Sequence, residues 1–263
     1  MGQFRIGEIE EILLNAFPSV DREIYDGWIL NFSSGYTYRA NCIYPFYPSS
    51  YNLIDKIKHC ENQYRELFLP VVYKMTVSVP AELDELLEQE GYQIVKYVDV
   101  MCRSLEDWKE LDESCKNDEY TLVIQDQMDE EWLKGVAVLI GIPFPSMEKV
   151  QKRIFGQIHM PMVCVKVLHR DHVIGTGLGI MDRQYIGLYA IHVDKEYRGQ
   201  GLGFDICSQI MTYGRQMGAT KAHLQVRQGN DSAFHMYRKL GFDPIYTQWF
   251  RMKSWSESKK IFD

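Results

Sequence analysis

The sequence predicts an α/β protein with a mixed central sheet flanked by helices. Segments with strand-like apolar patterns alternate with segments of helical periodicity along the 263 residues, which is typical of layered α/β folds. In addition, the apolar strand Tyr185–Val193 leads into a glycine-rich turn, Arg198–Gly203, and then into a helix, Phe204–Met217. Apolar side chains recur on one face of this helix, and Gly218 follows it where a left-handed residue ends a helix.

Residues 1–117 are expected to form a first domain. It begins with the amphipathic helix Glu8–Ala16. Two strands, Asp26–Leu30 and Thr37–Ile43, are predicted to form a hairpin around Ser33-Ser34-Gly35. The elements that follow are a helix at Asn52–Leu67, a strand at Val71–Val79, a helix at Ala81–Glu90 between Pro80 and Gly91, and a strand at Gln93–Cys102.

The charged segment Ser104–Glu119 is poor in apolar residues. It is expected to be a surface helix or a linker, and the domain boundary is placed near Asn117.

Residues 118–263 are expected to form the second domain. Its predicted order begins with a strand at Tyr120–Gln125, a helix at Asp129–Ile140 and a helix at Ser146–Ile158 with Ser146 and Lys149 at cap positions. A hairpin of Pro161–Leu168 and Val173–Met181 precedes the strand and glycine turn described above. The remaining elements are a strand at Lys221–Val226, a short helix within Asn230–Phe242 and a strand at Tyr246–Met252.

The composition is that of a globular protein, with 46% hydrophobic and 25% charged residues. The net charge of −7 gives no electrostatic reason to expect a nucleic-acid partner. The first ten residues lack the apolar core of a secretory signal peptide. The longest apolar run, Gly135–Phe144, is too short to cross a membrane. Six scattered cysteines form no metal-binding spacing. We therefore expect a cytoplasmic protein with reduced thiols, no metal and no membrane association.

The glycine turn has the chemistry of a phosphate-binding loop. The first N–H groups of a helix lack intrahelical partners and carry partial positive charge. Gly199, Gly201 and Gly203 have no Cβ, so an anion can approach the backbone closely, and Arg198 can add a charge-assisted contact. The spacing matches neither the P-loop nor the dinucleotide-binding pattern. The alternative is a glycine-rich turn without a ligand.

A second block of residues downstream makes the signal specific. The sequence resembles the GNAT superfamily of acyl-coenzyme A-dependent acyltransferases, whose loop Gln/Arg-x-x-Gly-x-Gly/Ala is met by Arg198, Gly201 and Gly203. The family's later block, Asn-x-x-Ala-x-x-x-Tyr-x-x-x-Gly-Phe, is met by Asn230, Ala233, Tyr237, Gly241 and Phe242. Both blocks lie in the second half, in the family's order.

The resemblance implies a role for each of these residues. Backbone N–H groups near Ile191 and Val193 would face the acetyl and pantetheine amides of acetyl-CoA, and Asn230 would contact the coenzyme. The pyrophosphate would be held by Arg198, Gly199, Gln200, Gly201, Leu202 and Gly203. Tyr237 would protonate the departing sulfur, and a phenol is chemically able to do so at neutral pH. The alternative for Tyr237 is a tyrosine packed on the helix face.

The general base is left unassigned. The strand before the loop has no carboxylate, and His192 is expected to point away from the face that carries Ile191 and Val193. Water, His223 and Glu196 are the other candidates. Acceptor selectivity in this family would place Phe144, Tyr246 and Trp249 near the acceptor, with core packing or surface cover as their alternative.

The amino-terminal half has a GNAT-like order of elements, and Gly91-Tyr92 echoes Gly241-Phe242. No glycine loop lies between Ile43 and Leu67. We therefore expect a degenerate GNAT-like domain, as in tandem GNAT proteins, with an unrelated α+β domain as the alternative.

The resemblance thus predicts an acetyltransferase that moves acetyl from acetyl-CoA to an amine of a small molecule or peptide by direct attack. A non-catalytic acyl-CoA-binding module is the first alternative, because the strand before the loop lacks a carboxylate. A transferase that uses charged tRNA is the second, and the intact loop and acidic balance disfavour it. The expected partners are acetyl-CoA and the amine, and the assembly is left open between a monomer and a homodimer.

Overall fold

The computed structural model describes residues 4–109 and 119–262. Packing divides the described chain into two units. The N-unit comprises 6–99, 144–158 and 246–262, and the C-unit comprises 4–5, 100–109, 119–143 and 159–245. The predicted boundary near Asn117 lies outside the described residues and stays a prediction.

The N-unit is built on a sheet with the strand order β1-β2-β3-β4-β11-β5. Its strands are β1 (Asp21–Tyr25), β2 (Trp28–Phe32), β3 (Ile43–Tyr44), β4 (Val71–Met75), most of β5 (Gln93–Ser104) and most of β11 (Asp243–Lys253). Its helices are α1 (Ile6–Ala16), α2 (Leu53–Glu66), α3 (Ala81–Gln89) and α5 (Pro145–Phe155). Both helices bury an apolar face, formed by Ile9, Ile12, Leu13 and Ala16 in α1 and by Ile57, Cys60 and Tyr64 in α2.

The two strands predicted to pair around Ser33-Ser34-Gly35 do pair antiparallel, with Leu30 opposite Ile43. Most of the predicted second strand, however, lies in a loop that contains a short 3-10 helix at Arg39–Asn41. The first hairpin joins β1 to β2 through Asp26-Gly27, where both residues have positive φ, 42° and 82°. Asp-Gly is a preferred pair for such a two-residue turn, because its backbone twist matches that of the strands. Ser33-Ser34-Gly35 instead begins a longer loop, whose backbone is held by the side chain of the buried Asn41.

The C-unit is built on a sheet with the strand order β6-β7-β8-β9-β10-β5. Its strands include β6 (Thr121–Gln125), β7 (Met162–His169), β8 (His172–Asp182), β9 (Tyr185–Val193) and β10 (Lys221–Arg227). Its helices are α4 (Glu130–Ile140), α6 (Leu202–Gln216) and α7 (Asp231–Lys239). Apolar side chains of α6 and α7 pack with those of β7, β9 and β10 in one core.

The last strand of each half of the chain serves both units. The end of β5, residues 100–104, belongs to the C-unit, and residues 246–253 of β11 belong to the N-unit. There β11 pairs antiparallel with β4, with Trp249 opposite Met75. The division into residues 1–117 and 118–263 stays a prediction.

Helix α5 also differs from the expectation. The helix starts at Pro145 with Phe144 at its N-cap, so Ser146 and Lys149 are not at cap positions. Proline is favoured at the first helical position because its missing N–H would have no partner there. The helix packs with the N-unit although it lies in the second half of the sequence.

Candidate active site

The site begins where two parallel strands of the C-unit separate. Pairing of β9 with β10 runs from Tyr185 opposite Lys221 to Leu188 opposite Leu224. Both strands then continue, to Val193 and to Arg227. The carboxyl ends of β9 and β10 therefore diverge, which is where α/β sheets bind ligands.

A β-bulge reshapes β9 just beyond the point of separation. Tyr189 pairs with Leu178 and His192 with Thr176, so Ala190 and Ile191 together face the single residue Gly177. Ala190 has a φ of 48°, which is rare for alanine and is taken up by the bulge. A bulge leaves backbone groups without ladder partners. Ile191 lies in the bulge, whereas Val193 is again paired with β8, opposite Gly175.

Neighbouring groups hold the bulge in place. The Thr176 hydroxyl donates to the carbonyl of Ala190 over 3.2 Å. The indole N–H of Trp132 on α4 donates to the carbonyls of Val165 and Gly177, at 3.1 and 3.2 Å. These hydrogen bonds give partners to backbone carbonyl groups at and beside the bulge.

Three alternating glycines of β8 bring α6 close to the sheet. A Cβ at Gly177 would lie 2.3 Å from Cγ2 of Ile206, and a Cβ at Gly179 would lie 2.6 Å from Cγ2 of Ile210. A Cβ at Gly175 would lie 3.2 Å from Cδ1 of Ile206. The sequence analysis overlooked these glycines, although glycine within a strand signals a bulge or a close backbone approach.

The glycine turn ends in the open N-terminus of α6. Gly199 and Gly201 have φ values of 78° and 88°, and a Cβ at either would meet nothing within 4 Å. Gly201 is the N-cap of α6 and supplies no side-chain cap, so the first N–H groups of the helix keep their capacity for an anion. The Nε of Arg198 donates to the carbonyl of Val193 over 3.1 Å, which keeps the guanidinium beside the turn.

The other residues of the turn have different surroundings. Leu202 is buried in the core with α6, so only its backbone can reach a ligand. A Cβ at Gly203 would lie 3.0 Å from Sδ of Met236, so this glycine lets α6 and α7 approach each other. Gln200 is exposed and accepts a hydrogen bond from the hydroxyl of Tyr120.

An aromatic cluster that the sequence analysis missed supports the turn. The rings of Tyr120, His169 and Tyr197 contact one another at centroid distances of 5.4–6.0 Å. Nδ1 of His169 lies 2.8 Å from the Tyr197 hydroxyl. Because Tyr197 directly precedes Arg198, the cluster fixes one end of the turn to β7.

Helix α7 carries the remaining candidates. The Asn230 carbonyl oxygen caps the helix by accepting from the N–H of Ala233 over 3.4 Å, which leaves its amide group available as a donor. Tyr237 is buried, with its ring against Phe242. Burial raises the pKa of Tyr237 well above its usual value, so the phenol stays protonated at neutral pH.

The base candidates occupy three different environments. Glu196 is exposed. His192 is half-buried and pairs with Thr176 on the bulged strand. His223 is fully buried, and burial lowers its pKa to about 4. Its Nε2 lies 3.5 Å from the Tyr189 hydroxyl, and its Nδ1 has no hydrogen-bond partner within residues 4–109 and 119–262.

The three acceptor-side candidates also lie in different surroundings. Phe144 is exposed at the start of α5, whereas Tyr246 is buried and donates to Glu10. The indole of Trp249 donates to Asp84 over 2.8 Å. All three belong to the N-unit, where Tyr246 and Trp249 have structural partners.

Comparison with known proteins identifies the family. A family model described as "Probable histone acetyltransferase Rv0428c C-terminal" matches residues 4–248. The chain belongs to this family. It is a member of the GNAT superfamily, as the glycine loop and the Asn230–Phe242 block predicted.

Relatives of this GNAT chain match along most of its length. An uncharacterized N-acetyltransferase of Bacillus subtilis strain 168, YobR, is 26% identical over 253 residues, covering 94% of this chain and 98% of the relative. A GCN5-related N-acetyltransferase from Kribbella flavida has a TM-score of 0.65 at 14% identity and covers 94% of both chains. A tandem GNAT protein from the clavulanic acid biosynthesis pathway has a TM-score of 0.61 at 13% identity, covering 74% of this chain and 67% of that chain. At these identities the structures share the fold.

Two further observations concern the whole described chain. No helix within residues 4–109 and 119–262 is long and apolar enough to cross a membrane. Cys42, Cys60, Cys102, Cys164 and Cys207 are buried free thiols, and Cys115 lies outside the described residues.

Proposed function

We propose that this GNAT chain transfers the acetyl group of acetyl-CoA to an amine of a small molecule or peptide, by direct attack within a ternary complex. The opening between β9 and β10 carries the proposal. It combines diverging parallel strands, a bulge at Ala190 and an uncapped helix N-terminus lined by open glycines. Acetyl-CoA has a thioester arm that would enter between the diverging strands and an anionic pyrophosphate that would bind at the helix N-terminus, so it needs the two features side by side.

The residues around the opening fit the parts of acetyl-CoA. Backbone N–H groups at Ile191 and Val193 would bind the acetyl and pantetheine amides. The turn from Arg198 to Gly203 would hold the pyrophosphate, because Gly199 and Gly201 leave room for it. The free amide group of Asn230 would donate to the coenzyme.

The reaction forms a bond from the acceptor nitrogen to the carbonyl carbon and breaks the bond from that carbon to sulfur. Backbone N–H groups at the bulge would stabilise the oxyanion that develops between these events. Tyr237 would donate its hydroxyl proton to the departing sulfur and would then regain a proton from water. Water would take the proton from the amine.

Two measurements test the proposal in sequence. Calorimetric titration with acetyl-CoA, with CoA and ATP as comparisons, should give micromolar binding at one site per chain. Failure to bind would make the glycine turn a structural element only. Thiol release with a panel of amines then tests transfer. Binding without release for every amine would favour the non-catalytic acyl-CoA-binding module.

A further inference from the structure

The N-unit repeats the element order that forms the opening in the C-unit. The order β1-β2-β3-α2-β4-α3-β5 corresponds to β7-β8-β9-α6-β10-α7-β11. In this correspondence β3 and β4 take the places of β9 and β10. They are also parallel, with Ile43 opposite Tyr73. Beyond this pair the chain leaves β3 as Pro45-Phe46 and leaves β4 as Thr76 onward.

A cavity lies at the carboxyl ends of these two strands. It has a volume of about 70 Å³ and opens to solvent. One wall comes from Tyr44 at the end of β3 and Phe46 after it, and another from Lys74 on β4 and Thr76 after it. The first turn of α1 closes it at Gly7. Open α/β sheets bind ligands at this place.

The surroundings of this cavity do not suit a nucleotide. The segment Pro45-Phe46-Tyr47-Pro48 stands where the C-unit has its glycine turn, and its prolines have no N–H to donate. Asn52 caps α2 by accepting from the N–H groups of Ile54 and Asp55, at 2.9 and 3.3 Å. The helix N-terminus that would bind a pyrophosphate is therefore already satisfied. The cavity calls for a smaller ligand.

A buried pair of opposite charges lies in the wall. Lys74 is 1% exposed and Glu10 is 5% exposed. Nζ of Lys74 donates to one oxygen of Glu10, and the hydroxyl of Tyr246 donates to the other. Nζ also lies 4.6 Å from the ring centroid of Tyr44. These partners leave donor capacity on the ammonium group and acceptor capacity on the carboxylate.

The arrangement selects against ligands of a single charge. A cation at Glu10 would be repelled by Lys74, and an anion at Lys74 would be repelled by Glu10. An α-amino acid avoids both penalties, because its ammonium and carboxylate groups are adjacent and can lie antiparallel to the Glu10–Lys74 pair. Opposite charges then face each other on both sides.

We propose that this cavity binds a free α-amino acid with an apolar side chain. Glu10 takes the ammonium group. Lys74 takes the carboxylate, with the hydroxyls of Thr76 and Ser78 at the same wall. Pro45, Phe46 and Val79 give the cavity apolar walls for the side chain. This site lies within the N-unit and does not depend on the transfer reaction.

Three probes that differ only in charge test the proposal. Leucine carries both groups, isopentylamine only the amine and 4-methylpentanoate only the acid. Calorimetric titration of the full chain should show leucine bound at one site, with the amine and the acid weaker by about tenfold or more. Equal binding of all three, or no binding of leucine at millimolar concentration, would overturn the proposal.

A variant that fills the cavity locates the site. A Cβ at Gly7 would meet nothing within 4 Å, so Gly7→Met is compatible with the helix and extends a side chain at the cavity wall. It should reduce leucine affinity about tenfold or more while the melting temperature and acetyl-CoA affinity stay unchanged. Lys58→Met, at an exposed position of α2 in the same unit, is the matched control. Wild-type leucine affinity in Gly7→Met would refute the location.

A second variant removes only charge. Glu10→Gln keeps an oxygen that can accept from Lys74 or Tyr246 but loses the anion. The preference for leucine over 4-methylpentanoate should fall about tenfold in this variant. An unchanged preference would show that Glu10 does not bind the ammonium group.

Discussion

Gly201→Ala tests the phosphate-binding role of the glycine turn against an internal control. Gly201 and Gly218 flank the two ends of α6, with φ values of 88° and 94°. A Cβ at either position would meet nothing within 4 Å. The two alanine variants should therefore have similar local strain, but only Gly201→Ala lies at the opening.

The expected stability cost is the same at both ends. An L-residue in the left-handed region costs about 1–2 kcal/mol, and no steric clash adds to this at Gly201 or Gly218. Chemical denaturation should therefore show both variants destabilised by about 1–2 kcal/mol. Each remains folded, because globular domains have free energies of unfolding of about 5–15 kcal/mol.

The effect on acetyl-CoA affinity should separate the two variants. If the turn binds the pyrophosphate as proposed, the Cβ added at Gly201 would obstruct the approach of a phosphate to the N–H groups of α6. A hydrogen bond to a charged group contributes about 1.5–3 kcal/mol. Calorimetry should show affinity lower by about 10- to 150-fold in Gly201→Ala. Gly218→Ala should bind as the wild type does. Equal affinities in the two variants would refute the assignment of the turn to the pyrophosphate.

Three further predictions concern buried polar side chains. Tyr237→Phe should lower turnover by about 100-fold or more with acetyl-CoA affinity retained, and wild-type turnover would exclude Tyr237 as the acid. His223 has a folded pKa of about 4, below the unfolded value, so stability should fall as pH drops from about 6.5 to about 4, by about 1.4 kcal/mol per unit. Urea midpoints measured across this pH range should show that His223→Gln removes this dependence. The guanidinium of Arg251 is 5% exposed and bonds both oxygens of Asp84, at 2.7 and 2.9 Å. Asp84→Ala should cost about 3 kcal/mol in denaturant unfolding, whereas Asp243→Ala, in an exposed ion pair, should cost less than about 1 kcal/mol.

Local patterns predicted the elements that carry the opening. The bounds of β9 were predicted as Tyr185–Val193 and are observed there. Helix α7, observed at Asp231–Lys239 with Asn230 as its N-cap, lies within the predicted range Asn230–Phe242. These predictions succeeded because periodicity and caps depend on residues only a few positions apart. The glycine turn was found for the same reason.

The predictions from local sequence failed where a stronger local signal was overlooked. The first hairpin turns at Asp26-Gly27, a pair well suited to a two-residue turn, but the prediction placed both residues in a strand. The alternating glycines of β8 were likewise present in the sequence. Both could have been found, because turn chemistry and small residues within strands are local signals.

Other features depend on contacts between distant segments. The bulge at Ala190 results from the register between β8 and β9, and nothing about an alanine signals a φ of 48°. The pairing of β11 with β4 joins residues far apart in the chain. The cavity beside Lys74 and Glu10 also requires α1, β3 and β4 to meet.

The sequence by itself determined the order of the elements, the glycine turn and the family to which the chain belongs, because each of these rests on neighbouring residues. Only the tertiary structure decided where β9 and β10 separate, how β5 and β11 are shared between the units, and which charged side chains are buried together. Sheet register and burial arise from the packing of distant segments against one another, and that packing has no counterpart in any short stretch of sequence.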